Sequence, residues 1–151
     1  MSVEILGFDH VYLAVRDLRT SEGFYDRVMA VFGFGKIAAP LHGEPHVHYY
    51  GRHFGFTLRP ARPATPDHDP YAPGLHHLCL RVEDEAAVDR AARELRAAGI
   101  DVSEPKRYPE YAPDYYAAFF SDCDGIRLEV CNFWETRRRR MHGGKGAGAA
   151  R

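Results

Sequence analysis

The sequence predicts an α+β fold made of two tandem βαβββ modules. Three observations predict it. The stretches "FDHVYLAV", from Phe8, and "LHHLCLRV", from Leu75, both read as strands, and each carries a histidine just before the same apolar alternation. Each is followed by a charged bend, an amphipathic helix and three short strand candidates. Between them, "RPARPATPDHDPYAPG" holds Pro60, Pro63, Pro66, Pro70 and Pro73, a composition that suits a linker and not a strand. Module one therefore runs over about 7–59, the linker over 60–74 and module two over about 75–133. Residues 1–136 form one domain, and 137–151 form a basic flexible tail.

Aligning His10 with His77 brings Val11, Leu13 and Val15 onto Leu78, Leu80 and Val82. In module one the helix covers "SEGFYDRVMAVF", with Phe24, Val28 and Phe32 on one face and Gly33 past its end. Strands are expected near 34–39, 46–51 and 53–59. In module two the helix covers "EAAVDRAARELRAA", with Val88, Ala92 and Leu95 on one face, Asp84 as its cap and Gly99 past its end. Strands are expected near 101–103, 115–120 and 126–133, the last two joined by the turn signal "DCDG".

Composition narrows the function classes. A chain of 151 residues has length for one compact domain with a real core. The N-terminus lacks the basic and apolar regions of a signal peptide, and no apolar run is long enough to span a bilayer. Cys79, Cys123 and Cys131 form no CxxC pair and are odd in number, which suits a reduced, cytoplasmic setting. Six basic residues and no acid follow Thr136, so a net charge of −1 leaves −7 on the body. An acidic body is no nucleic-acid reader, and the "RRRR" run reads as a solvated end.

The two-residue period of a strand assigns faces. Val11, Leu13 and Val15 face a covering helix, and His10, Tyr12 and Ala14 face away. In module two Leu78, Leu80 and Val82 face the helix, whereas His77, Cys79 and Arg81 do not. On the last strand Ile126, Leu128 and Val130 go to the helix, and Arg127, Glu129 and Cys131 oppose them. His10, His77 and Glu129 thus project from sides that no helix covers. Two imidazoles and a carboxylate suit one divalent metal ion, Fe, Mn, Ni, Co or Zn, and leave coordination positions open to a substrate with two adjacent oxygens. His48 shares its strand face with His46 and is a candidate for substrate contact. The loop "RYPEYAPDYY" offers Tyr115 and Tyr116 as further candidates. Cys79 and Cys131 face the same way as the proposed ligands but read as small apolar fillers.

"FDHVYLAV…SEGFYDRVMAVFGF", "LHHLCLRV" and "DCDGIRLEV" together resemble the vicinal oxygen chelate superfamily. That superfamily holds glyoxalase I, extradiol dioxygenases, fosfomycin thiol transferases, methylmalonyl-CoA epimerase and bleomycin-binding proteins. The resemblance covers roughly 8–133. It implies paired βαβββ modules around a cavity, a metal on His10, His77 and Glu129, a small-molecule substrate and a homodimer, which the exposed sheet edges also favour. The reading is a metal-dependent enzyme acting on a small oxygenated molecule, glyoxalase- or dioxygenase-like. The alternatives are a drug-sequestering protein of the bleomycin-resistance kind and a fosfomycin-type thiol transferase.

Departures from the pattern sort these reactions. Glyoxalase-type sites add a fourth ligand, Glu or Gln, on the last strand of module one. Counting Gly125–Glu129 onto Gly55–Arg59 puts Arg59 there, and a guanidinium cannot ligate a cation. Arg59 is instead expected to bind an anionic substrate group. The tyrosine of the ring-cleaving dioxygenases would fall on Phe119, with Tyr115 or Tyr116 as shifted substitutes.

Overall fold

The computed structural model describes residues 2–143. Its chain divides into two compact units, Met1–Asp69 with Asp122–Gly125, and Pro70–Ser121 with Ile126–Arg151. The fold is α+β, with one four-stranded mixed sheet in each unit.

The first unit holds β1 (His10–Val15), α1 (Leu18–Val31), β2 (Gly35–Leu41), β3 (Glu44–Tyr50) and β4 (Gly55–Pro60), in the sheet order β1-β4-β3-β2. β1 lies parallel to β4, while β3 is antiparallel to both β4 and β2. Asp17 starts α1 by accepting a hydrogen bond from the Thr20 amide. The helix lays Phe24, Tyr25, Val28 and Met29 against Leu13, Val15, Val47, Phe56 and Leu58 to form a buried core. The Tyr25 and Phe56 rings sit 4.9 Å apart. The fully buried Tyr25 hydroxyl donates to Asp122 (2.8 Å), in the turn assigned to this unit. Burial and then the Asp122 carboxylate push the Tyr25 phenol well above its usual pKa.

The second unit holds β5 (His77–Arg81), α2 (Glu85–Ala97), β6 (Lys106–Arg107), β7 (Tyr116–Ser121), β8 (Arg127–Cys131) and α3 (Glu135–Gly143), with sheet order β5-β8-β7-β6. β5 again runs parallel to β8, the last strand of its sheet in sequence. The Asp84 carboxylate caps α2 by accepting from the Ala87 amide at 2.8 Å. Val88, Ala91, Ala92 and Leu95 bury against Ala118, Phe120, Leu128 and Val130. Gly33 and Gly99 follow α1 and α2 with φ of 71° and 77°, the left-handed geometry that lets a chain leave a helix.

The structure departs from the sequence reading at three places. β2 and β3 reach further toward each other than expected. Leu41 pairs with Glu44 across a two-residue hairpin in which His42 and Gly43 both take positive φ, the turn that matches strand twist. The strand expected at 101–103 is one isolated bridge, Val102 to Phe120, and pairing resumes only at β6 because Pro105 has no amide hydrogen to donate. The basic tail, expected to be flexible from 137, is helical up to Gly143. Asp114 supplies the reason: its carboxylate accepts from the Glu135 and Thr136 amides and the Thr136 hydroxyl, and so caps α3. Arg138 adds a bond from its guanidinium to the Glu83 carbonyl (2.6 Å). Lys145 and Arg151 lie outside the described residues. Among the described residues no helix is long and apolar enough to cross a membrane.

The Asp114 cap carries a pH signature. Burial works to raise its carboxyl pKa, but the bonds from Glu135 and Thr136 outweigh it and hold the pKa below the usual value. A folded-state pKa below the unfolded one means the cap's stabilisation is complete above the ordinary aspartate value of about 3.9 and is lost as pH falls through the lower folded value. The Glu135 and Thr136 amide resonances should move together in that acidic window, and the movement should vanish in Asp114→Asn.

Candidate metal and ligand site

In the second unit the site begins with strand register. His77 pairs with Arg127, Cys79 with Glu129 and Arg81 with Cys131. Phe119 of β7 lies opposite Glu129. These residues share one sheet face, while Leu128 and Val130 of β8 point to the α2 side. Glu129 is the chemically distinctive member. Its side chain is only 4% exposed, yet its Oε2 lies 3.4 Å from Nε2 of His77, whose side chain is 44% exposed. Its Oε1 accepts a 2.6 Å hydrogen bond from the Tyr115 hydroxyl. Nδ1 of His77 sits 2.8 Å from Nδ1 of His76, which leaves Nε2 directed at the carboxylate.

Tyr115 is held for this contact. Its amide donates to the Ala112 carbonyl and its carbonyl accepts from the Tyr108 amide. The buried Asn132 side chain brackets the same segment, donating to the Asp114 carbonyl (2.9 Å) and accepting from the Tyr116 amide (3.0 Å). Burial first, and then the bond to Glu129, push the Tyr115 phenol far above its usual pKa, so it acts as a hydrogen-bond donor at neutral pH. The sequence reading paired Tyr115 with Tyr116, and the structure separates them. Tyr116 opens β7 on its α2 side, its hydroxyl donating to Asp89 on α2 (2.8 Å), whereas Tyr115 precedes the strand. Phe119, opposite Glu129, offers no donor, so Tyr115 supplies the hydroxyl from a position four residues earlier. Asn132 carried no signal in the sequence, because its role depends on a loop conformation and not on a period.

Beside Glu129, the Cys79 and Cys131 sulfurs approach to 3.3 Å, with Cys79 donating. That bond raises the Cys79 thiol pKa and lowers that of Cys131; burial and the Glu129 charge raise Cys79 further.

In the first unit the face away from α1 carries a ring cluster. His10 stands edge-on to Tyr12 with centroids 5.3 Å apart. Tyr12 packs edge-on to His46 and His48, whose rings stack at 5.8 Å. His48 is fixed by a 3.0 Å bond between Nδ1 and the Thr57 hydroxyl. The side chain of His10 is 56% exposed, and its Nδ1 lies 2.8 Å from the Asp9 carboxylate. In both units, then, the residue just before the strand-opening histidine engages its Nδ1. A cavity of about 430 Å³ is lined here by His10, Tyr12, His48, Tyr50, Phe54 and Thr57, among others.

The register corrects the place given to Arg59. His10 pairs with Gly55 as His77 pairs with Arg127, so Gly55 corresponds to Arg127 and not to Gly125. The repeat partner of Glu129 is therefore Thr57, and that of Arg59 is Cys131. The count failed because Gly125 belongs to the turn, two residues ahead of β8, whereas Gly55 is already inside β4. A neutral threonine still leaves the first module without a carboxylate at that position. Arg59 pairs with the Glu44 carboxylate and does not line the cavity.

The two tyrosines give a direct test. Tyr115→Phe removes the hydroxyl from a buried carboxylate and should cost about 1–3 kcal/mol in urea unfolding. Tyr116→Phe removes a bond to an exposed aspartate and should cost less than about 1 kcal/mol.

Residues 7–130 match the Glyoxalase/Bleomycin resistance protein/Dioxygenase superfamily. No curated protein matches the chain in sequence. Among solved structures, a glyoxylase/bleomycin resistance protein/dioxygenase domain from Frankia sp. EAN1pec is 24% identical, with 85% of this chain and 98% of that one covered and a TM-score of 0.69. A lactoylglutathione lyase from Agrobacterium tumefaciens is 24% identical over 88% of this chain and 96% of that one, with a TM-score of 0.59. The fosfomycin resistance protein FosX from Listeria monocytogenes is 16% identical over 89% and 99%, with a TM-score of 0.62. At these identities the structures speak for the fold alone. The family match spans most of the chain, and the protein belongs to the Glyoxalase/Bleomycin resistance protein/Dioxygenase superfamily.

Proposed function

We propose that this chain is a cation-dependent enzyme acting on a small oxygenated molecule, with His10, His77 and Glu129 as the protein ligands of one divalent ion (Fe, Mn, Ni, Co or Zn). The observation that carries the reading is Glu129. A carboxylate at 4% exposure is costly unless something compensates its charge, and a phenol with a half-exposed imidazole does so only in part. A divalent cation completes that compensation, and a carboxylate with a neutral imidazole is a donor set such ions accept. His10 opens its strand as His77 does and comes from the same chain or from a second copy.

A bound divalent ion would supply Lewis acidity toward two adjacent substrate oxygens. The protein's own part is orientation and proton handling. His76 and Asp9 engage Nδ1 of His77 and His10, which leaves Nε2 of each as the ligating atom. Tyr115 fixes the rotation of Glu129. Thr57 holds Nδ1 of His48, so Nε2 of His48 is the atom that exchanges a proton with a ligand in the cavity of the first unit. Tyr12, Tyr50 and Phe54 give that cavity apolar faces for a flat or compact substrate. The same aromatic lining favours a second reading, sequestration of a ligand without turnover, which product analysis separates from catalysis.

Metal content tests the assignment. Glu129→Ala should lose most of its bound metal under mild chelation, in protein prepared without a His-tag. Arg59→Ala should retain it, because Arg59 is committed to Glu44. Equal retention in both variants would contradict the ligand set.

A homodimer is part of the proposal. β1 and β2 are the edges of the first sheet, and the segment before β1 exposes Val3, Ile5, Leu6 and Phe8. A second copy covers such apolar surface, and two-fold pairing is the common solution. Light scattering at micromolar concentration should report twice the chain mass; a monomer would contradict it.

A further inference from the structure

The geometry points to a second cation site in the second unit, a thiophilic one formed by Cys79, Cys131 and Glu129. It shares Glu129 with the centre proposed above but does not use His10, so a His10 variant separates the two assignments.

Placement carries the argument. Cys79 lies directly opposite Glu129 in register, and Cys131 follows Glu129 by two residues, so all three side chains leave the same face of two adjacent strands. Their sulfur and oxygen atoms all lie within 4.8 Å of one another. Both cysteines are free thiols; Cys131 and Glu129 are each 3% exposed, and Cys79 is part-buried. A zinc-like ion bound tetrahedrally at about 2.3 Å from each sulfur holds two thiolates about 3.8 Å apart. The sulfurs stand at 3.3 Å, so ligation asks for about half an ångström of separation. A disulfide, at about 2.05 Å, asks for more than twice that movement in the opposite direction and leaves Glu129 without a role. Two thiolates and a carboxylate select Zn(II), Cd(II) or Co(II) over Mg(II) or Mn(II), because soft sulfur donors favour thiophilic ions.

The surroundings suit this chemistry. Tyr115 donates to Oε1 of Glu129 and orients it, and its hydroxyl is 3.8 Å from the Cys79 sulfur. Arg81 pairs in register with Cys131 on the same face, its guanidinium over the Phe133 ring at 4.5 Å. It offsets the net negative charge of two thiolates, one carboxylate and a divalent ion. Binding moves both thiol protons to solvent, and no oxidant or reductant takes part. His77, with its side chain 44% exposed, lies 3.4 Å from Glu129 and borders the cluster on that side. The structure thereby gives the cysteines, which read as apolar fillers in the sequence, a reason to flank the one buried carboxylate of β8.

Co(II) titration of the reduced, untagged full chain under anaerobic conditions tests the site. One equivalent should produce the near-ultraviolet sulfur-to-cobalt charge-transfer band, and Zn(II) should abolish it. The band should disappear in Cys79→Ala and in Cys131→Ser and persist in His10→Ala. Tyr115→Phe should weaken Co(II) binding by about tenfold. In a Cys123→Ser background two thiols should be alkylated in the metal-free protein and neither in the zinc-loaded one. The wild-type spectrum decides the matter even where a cysteine variant folds poorly. Co(II) binding without the charge-transfer band, or protein that forms a Cys79–Cys131 disulfide in place of binding metal, would overturn the thiophilic site. Binding that lacks the band and depends on His10 would overturn it while upholding the histidine centre.

Discussion

Parallel pairing between the first strand of each module and its last strand is the constraint from which the rest of the architecture follows. A parallel pair cannot be closed by a hairpin, so the intervening chain must cross over, and here it does so through a helix that covers one sheet face. That crossover helix, α1 in one unit and α2 in the other, packs on one face of its sheet and leaves the opposite face free of it. The pairing also fixes which side chains stand together there: His10 beside Gly55 and Tyr12 beside Thr57 in the first unit, His77 beside Arg127 and Cys79 beside Glu129 in the second. A slip of one residue would turn Glu129 into the core and Leu128 out of it, so the apolar residues against α2 are what hold the carboxylate in place.

The energetic consequence is concentrated in Glu129. Its neighbours on β8, Leu128 and Val130, gain by burial, whereas the carboxylate loses water and, among the described residues, receives the Tyr115 hydroxyl and the edge of His77. Asn132 and the 112–116 segment are organised to deliver that one hydroxyl. Structural stability alone gives no reason to retain a charge under these conditions, since a well-packed apolar side chain does as well or better. The ligand role proposed for Glu129 supplies a reason for keeping a charge there.

Much of this was legible in the sequence because it rests on periods. The repeat of histidine-led strands, both helices, the Asp84 cap and the faces of His10, His77 and Glu129 all follow from spacings of two or three to four residues. What was illegible depends on where strands begin and on what loops do. Arg59 was matched to Glu129 by counting from glycines, and only the ladder reveals that Gly125 is in a turn while Gly55 is in a strand, which makes Thr57 the true counterpart. Tyr115 and Tyr116 could not be told apart until the start of β7 was placed between them. Asp114 capping a helix twenty-one residues away, and Asn132 holding the tyrosine loop, are non-local bonds with no pattern in the chain. The sulfur contact between Cys79 and Cys131 is likewise a product of register.

The most direct test of the account is thermal unfolding of wild type and Glu129→Gln, each with and without a saturating divalent cation. Glutamine keeps the volume and the Tyr115 hydrogen bond while removing the charge. The account predicts that the metal-free variant is at least as stable as metal-free wild type. It further predicts that a cation at about one hundred times its Kd stabilises wild type by about 2.7 kcal/mol and leaves the variant unchanged. A variant that is less stable without metal, yet gains as much from the cation as wild type does, would show that Glu129 is a structural carboxylate and not a ligand.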